Sequence, residues 1–423
     1  MKALNLLRVV AHSRWGSDEN TLLHLYRSLI RSKLDYGAVV YGSARKSYLC
    51  MLEPVQNQAL RLCLGAFRTS PATSLHVEAN EMPLDLRRRK LASQYSLKVS
   101  SNVTNPASSC IFNQQFIKFF DKHPKQIRPL GSRVSADLSD IGFVKKDILL
   151  ASVPSILPWL LSTPYVDFSL NAFSKSDTNP DIFHSKFLEV CEGLQDHYHI
   201  YTDGSRMNGL VGAAAVGRDV SKSLRISGKA SIFTAELVAL NLSLDIIRRS
   251  KHMKFAIFSD SLSSLLAIHN RHLETGYVKK FIIDYSQLVN SGKTIVVCWI
   301  PSHVGIRGNE RADKAAKLAL SSTISAVKCP PTDLYQDLAN HCQRLWQVEW
   351  DGCASNKLHS VKPTLGYLDL SHLSRRDAVI LRRLRIGHAR FSHSYILVRE
   401  DQPQCIFCDC ALTVVHPSRM STL

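Results

Sequence analysis

The chain has 423 residues, with 53 Lys+Arg against 35 Asp+Glu, a formal charge of +18. That length implies roughly two to four domains, and 45% hydrophobic with 21% charged residues excludes a disordered chain. The basic surplus points to a polyanionic partner, nucleic acid first and an anionic membrane surface second. The surplus is unevenly spread. Residues 1–100 carry 15 basic and 7 acidic groups, residues 101–196 carry 9 and 10, residues 197–322 carry 17 and 9, and residues 323–423 carry 12 and 9. Two basic modules joined by a neutral connector are expected.

The N-terminal MKALNLLRVVAHSRW reads as an amphipathic helix, because Asn5 and Arg8 interrupt any signal-peptide core. Apolar residues then recur at helical spacing through Leu22, Leu25, Tyr26 and Leu29, and again through Val55, Leu60, Cys63 and Leu64. Gly37 and Gly65 are placed as helix stops, and Arg87–Lys90 opens a further helical run. Residues 1–110 are therefore a helical region, and residues 111–196, rich in Pro, Ser and Asn, a linker. Ile148–Val166 is uncharged, but Pro154, Pro158 and Pro164 break it, so no membrane-spanning segment is expected. The 11 cysteines, an odd number and mostly scattered, favour reduced thiols in an intracellular protein, nuclear or cytoplasmic.

From residue 197 the pattern becomes α/β. Strands are expected at His199–Asp203, ending in an Asp203-Gly204-Ser205 turn, and at Leu210–Gly217, Lys222–Gly228, Lys254–Asp260 and Thr294–Ile300. Helices are expected at Ser231–Arg249, Ser261–His269, Tyr277–Val289 and from about Asn309. Residues 323–423 mix short helices with an Arg-rich run. Its Arg382, Arg383, Arg385 and Arg390 suit either a solvated helix face or a grip on nucleic acid.

Four acids fall at informative places: Asp203 at a strand end, Glu236 one turn into the long helix, Asp260 at the end of the fourth strand, and Asp313 in the first turn of the last helix. Singly, each would most often be a cap or a solvated group. Together they stand in the ordered words YTDGS, TAEL, FSDS and WIPSHVGIRGNERAD. In this order the words resemble ribonuclease H, type 1, over residues 197–322. The resemblance implies an α/β fold with a five-stranded mixed sheet and flanking helices, preceded here by the helical region. It implies that Asp203, Glu236, Asp260 and Asp313 hold two Mg²⁺ ions, with Mn²⁺ able to substitute, and that His303 assists proton movement or product release.

The chemistry agrees. Crowded carboxylates repel one another and hard dications relieve the repulsion. Two such ions suit hydrolysis of a phosphodiester, here the RNA strand of an RNA–DNA hybrid. By the same resemblance Gly204 and Ser205 would meet ribose 2′-hydroxyls and Ser231 a DNA phosphate. Ile232 and Phe233 stand where cellular enzymes have Asn. Only 53 residues separate Asp260 from Asp313, too few for the basic protrusion of many cellular enzymes.

The flanks extend the resemblance. RWGSDENTLLHLYRSLIRSKLDYGAVVYGSARKSYLCMLEPVQNQALRLCLGAFRTSP is similar to the thumb-like segment that follows the palm in reverse transcriptases of non-LTR, Jockey-like retrotransposons. The chain contains no Asp-Asp pair of the kind a palm requires, so no polymerase activity is expected from it. Cys405, Cys408 and His416 resemble a zinc knuckle lacking its fourth ligand, which makes Zn²⁺ binding an unfavoured expectation. The leading expectation is a metal-dependent hybrid ribonuclease. The alternative is a non-catalytic nucleic-acid-binding product of a truncated retrotransposon.

Overall fold

The computed structural model describes residues 2–112, 117–123, 125–151, 156–173, 179–405 and 409–414. The chain divides into two compact units, one from Met1–Ser96, Asn113–Ile141 and Leu338–Leu423, the other from Leu97–Phe112 and Gly142–Asp337. Among the described residues no helix is long and apolar enough to cross a membrane.

The first unit is helical. Helices Lys2–Val10, Glu19–Tyr26, Glu53–Leu64 and Ala72–Ala79 bury Leu7, Leu22, Tyr26, Leu60 and Leu64 in one apolar cluster, which Ile386 of the Arg375–Ile386 helix joins. The expected arginine face of that last helix is neither solvated nor free for nucleic acid. Arg382 is 1% exposed. Its guanidinium donates through Nε and Nη2 to Glu19 at 2.9 and 2.8 Å and through Nη1 to Glu78 at 2.8 Å. Arg385 also donates to Glu78, at 2.6 Å. Arg383 donates to the Gly65 carbonyl at 2.8 Å and Arg375 to those of Cys63 and Leu62 at 2.6 and 3.0 Å. The last turn of a helix leaves carbonyls without intrahelical partners. Here arginines of a distant segment satisfy them, so the run is an internal anchor. Arg390 alone of the four is exposed.

The second unit is α/β, around a sheet that has six strands among the described residues rather than five. They are β1 (Val166–Asp167), β2 (Tyr198–Met207), β3 (Leu210–Val216), β4 (Ser221–Ile226), β5 (Lys254–Ser259) and β6 (Thr294–Trp299), in the order β1-β6-β5-β2-β3-β4. β2, β3 and β4 form an antiparallel meander, while β1, β6, β5 and β2 run parallel. The two-residue β1 had no periodicity to announce it. It belongs to the stretch expected as linker, which also contains helices Leu130–Asp140 and Pro180–Glu192.

Hydrophobic alternation in β5 shows why that strand reads as continuously apolar. Phe255 and Ile257 pack into a core with helices Ile232–Arg249 and Gly276–Asn290, while Ala256 and Phe258 pack on the opposite face with Phe183, Phe187 and Ile306. A strand covered on both faces has no polar side to show.

The expected Asp203-Gly204-Ser205 turn does not form. β2 continues to Met207 and the chain reverses at Asn208-Gly209, where φ is 51° and 76°. Asn-Gly supplies positive φ at both central positions of a tight hairpin, matching the strand twist. Asp203 consequently sits within β2 rather than at its end.

Candidate active site

The sheet register by itself brings two carboxylates together. In the parallel β2–β5 pair, Thr202 lies opposite Ser259, and each is followed by an aspartate, Asp203 and Asp260. Adjacent strands run ~4.8 Å apart, so the two acids emerge side by side where the parallel ladder stops.

Glu236 reaches the same point from the Ile232–Arg249 helix because Gly204 has no side chain. A Cβ on Gly204 would stand 2.8 Å from the Glu236 nitrogen and 3.0 Å from the Ala235 carbonyl carbon. With that approach open, one oxygen from each of Asp203, Glu236 and Asp260 lies within 4.8 Å of the others. The nearby Gly204 N–H eases the charge on both Asp203 and Glu236.

The electrostatics are those of an uncompensated anion cluster. Burial, then the charges of Asp260 and Asp313, pushes Asp203 up to about 7. Burial, then Asp203 and Asp260, raises Glu236 well above the ordinary glutamate value. Burial also raises Asp260, against the pull of a hydrogen bond from Asn309 Nδ2 at 3.0 Å. Glu236 Oε2 is buried and accepts no hydrogen bond. An all-oxygen donor set with one orphaned oxygen fits a hard divalent cation such as Mg²⁺, and not a metal that prefers nitrogen or sulfur.

Asp313 and His303 stand beside this trio. Asp313 lies in the second turn of the Arg307–Ala319 helix, later than expected because the helix begins at Arg307 rather than near Asn309. It receives Lys317 Nζ at 2.7 Å, and its charge is felt by Asp203 and Asp260, but it is outside the group of three. His303 is exposed on the preceding loop at φ 58° and lines a small hollow together with Asn309 and Asp313.

The expected nucleic-acid contacts fare differently from one another. Ser205 is buried within β2, opposite Gly212. Ser231 caps the long helix, its hydroxyl accepting from the Thr234 N–H at 3.1 Å, but that hydroxyl donates to Asp333 Oδ1 at 2.9 Å rather than standing free for a phosphate. Of the zinc-knuckle residues, Cys405 is buried, and Cys408 and His416 lie outside the described residues. Among the described residues, the acid trio is the one group of three or more potential metal ligands.

Sequence reasoning missed Asn309, Lys317 and Asp333. Asn309 stood in the GNERAD word, and Lys317 is four residues after Asp313, a spacing that pairs charges on a helix. Asp333 had no signal in the sequence near Ser231.

A search of the curated proteins finds no match to the chain. Residues 195–321 match the family model for RNase H, and the α/β unit therefore carries an RNase H domain.

Proposed function

We propose that this domain hydrolyses the RNA strand of RNA–DNA hybrids and that the chain derives from a non-LTR retrotransposon. The observation that carries the nuclease reading is the buried, mutually repelling trio Asp203, Glu236 and Asp260, with Glu236 Oε2 lacking a hydrogen-bond partner. Asp203, Glu236, Asp260 and Asp313 would hold two Mg²⁺ ions, which supply Lewis acidity and a nucleophilic water when bound. Asn309 holds Asp260 in one orientation through its amide. Lys317 restrains Asp313 beside the trio. His303, exposed at the rim, is placed to pass a proton between solvent and the scissile region. The retrotransposon origin is supported by the thumb-like words of residues 1–110.

The test is incubation of the purified full chain with end-labelled hybrid and Mg²⁺, beside Asp260→Asn. Cleavage reduced at least about 100-fold in the variant supports the reading, since Asp260 would hold the metal that stabilises the developing charge, and losing one such stabilising interaction costs this order of rate. Binding without cleavage above the variant's level would establish the non-catalytic alternative instead.

A further inference from the structure

A cavity of about 490 Å³ opens at the other end of β2 from the acids, lined by residues of the β2 start, the β3–β4 turn, the loop before β5 and the Arg307–Ala319 helix. Tyr198 is five residues before Asp203 on one strand, about 16 Å away, and although the lining Tyr201 and Arg311 stand two residues before Asp203 and Asp313, none of Asp203, Glu236 and Asp260 lines the cavity.

Its walls are aromatic and cationic. The Tyr198 ring stacks on His252, with centroids 4.9 Å apart and planes at 25°. Gly217 permits this ring position, because a Cβ there would stand 2.7 Å from the Tyr198 ring. The Gly217 carbonyl accepts from Arg311 Nη2 at 3.1 Å, which fixes that guanidinium at the cavity wall. Arg218 is 90% exposed, and its nearest acid, Asp219, stands 4.0 Å away, so its fork of donors faces solvent. His199 donates through Nε2 to the Leu194 carbonyl at 3.1 Å. Of the lining residues the one carboxylate, Asp196, is already paired with Lys254 and with His197, while Asp219 stands beside Arg218 just outside the lining.

Two guanidiniums select a planar or tetrahedral oxyanion. A flat stacked pair of rings selects another π-face, as nucleobases do. The volume falls in the ordinary range for a small-molecule site. We propose that this cavity binds a nucleoside monophosphate unit, its phosphate on Arg218 and Arg311 and its base against the Tyr198–His252 stack. This goes beyond the nuclease reading and does not depend on it.

The experiment is calorimetric titration of the full chain with AMP, adenosine and inorganic phosphate, all in EDTA so that no hydrolysis can occur. AMP should bind saturably, and phosphate and adenosine about tenfold more weakly each, the scale of one stacking or one charge-assisted contact. Arg218→Ala and His252→Ala, both at exposed positions, should each weaken AMP by about tenfold, with the thermal melt unchanged. Binding should persist in Asp260→Asn, because Asp260 does not line the cavity. The proposal is overturned if AMP binds no better than inorganic phosphate, or if its affinity survives in the Arg218→Ala/His252→Ala double variant.

Discussion

Asp333 accepts from Ser231 twice, from its backbone N–H to Oδ2 and from its hydroxyl to Oδ1, each at 2.9 Å. This carboxylate sits over the first turn of the helix that carries Glu236, where the exposed N–H groups and the helix dipole favour an anion. Four residues later, Asp337 receives Lys229 Nζ at 3.0 Å, so the segment lays two acids on the turn before the helix. A phosphate approaching Ser231 would have to displace Asp333. Asp333→Ala is therefore expected to lower stability by about 1 kcal/mol, the scale of a lost cap, and to tighten hybrid binding several-fold. Ser231→Ala should weaken binding only in the Asp333→Ala background, where the hydroxyl is free. Urea melts and fluorescence anisotropy read the two effects, and additive behaviour of the pair would sink the idea.

The acid trio sets a pH dependence whose sign follows from its raised pKa values. Asp203 titrates near 7 in the folded domain against 3.8 as its ordinary value. Between those limits the folded state holds the extra proton, so stability present below about pH 4 is lost as pH rises through 7, on the order of 4 kcal/mol at most. Glu236, raised by the same causes, acts in the same direction. A bound dication replaces the lost protons. Mg²⁺ should therefore raise the melting temperature strongly at pH 8 and barely at pH 5. Buried His76, held near 4 by desolvation, works with the opposite sign in the helical unit, being most stabilising above about pH 6.5. The quantity to compare is thus the Mg²⁺-induced shift at each pH. An equal shift at both pH values would contradict the assignment, and Asp203→Asn should shrink the shift at pH 8.

Asn309 should matter through Asp260 rather than through the fold. Its Nδ2 donates to Asp260 at 3.0 Å while its own Oδ1 is buried without a partner. Asn309→Ala removes one good contact and one unsatisfied oxygen, so the stability change should stay within about 1 kcal/mol. Freed of its positioning bond, Asp260 should lose metal affinity by about 10- to 100-fold, as when a supporting partner of a ligand is removed. Raising Mg²⁺ should then recover much of the cleavage in Asn309→Ala and none in Asp260→Asn.

The site was legible in the sequence because its parts are local words. Asp260 stands at a strand end and Glu236 near a helix start that hydrophobic patterning can locate, and the neighbourhood of Asp203 and Asp260 follows from parallel pairing of two readable strands. The strand length was misjudged because Asp-Gly-Ser and Asn-Gly both read as turns, and only pairing of Met207 with Leu210 selects the second. Position along the chain hid the rest. Asp333 is 102 residues from Ser231, and no periodicity links them. The arginine run misled for the same reason, since a cationic stripe looks solvated until its partners 363 and 304 residues away are known.

That arginine run yields the sharpest stability test. Arg382 bridges Glu19 and Glu78, all three buried, with side-chain exposures of 1%, 9% and 0%. Burial holds Glu19 above its ordinary value despite Arg382, whereas Arg385 and Arg382 together hold Glu78 below its own. Removing the guanidinium would leave two carboxylates facing each other in the interior, a loss of about 3–5 kcal/mol. Arg382→Met, which keeps much of the volume, should therefore unfold the helical unit at markedly lower urea. Replacing all three charges, as Arg382→Met with Glu19→Gln and Glu78→Gln, should recover part of the loss because the stranded anions are gone. Arg390→Ala, at the exposed position, should leave the melt unchanged. If Arg382→Met instead melts like the parent and only weakens nucleic-acid binding, the run is a binding face after all.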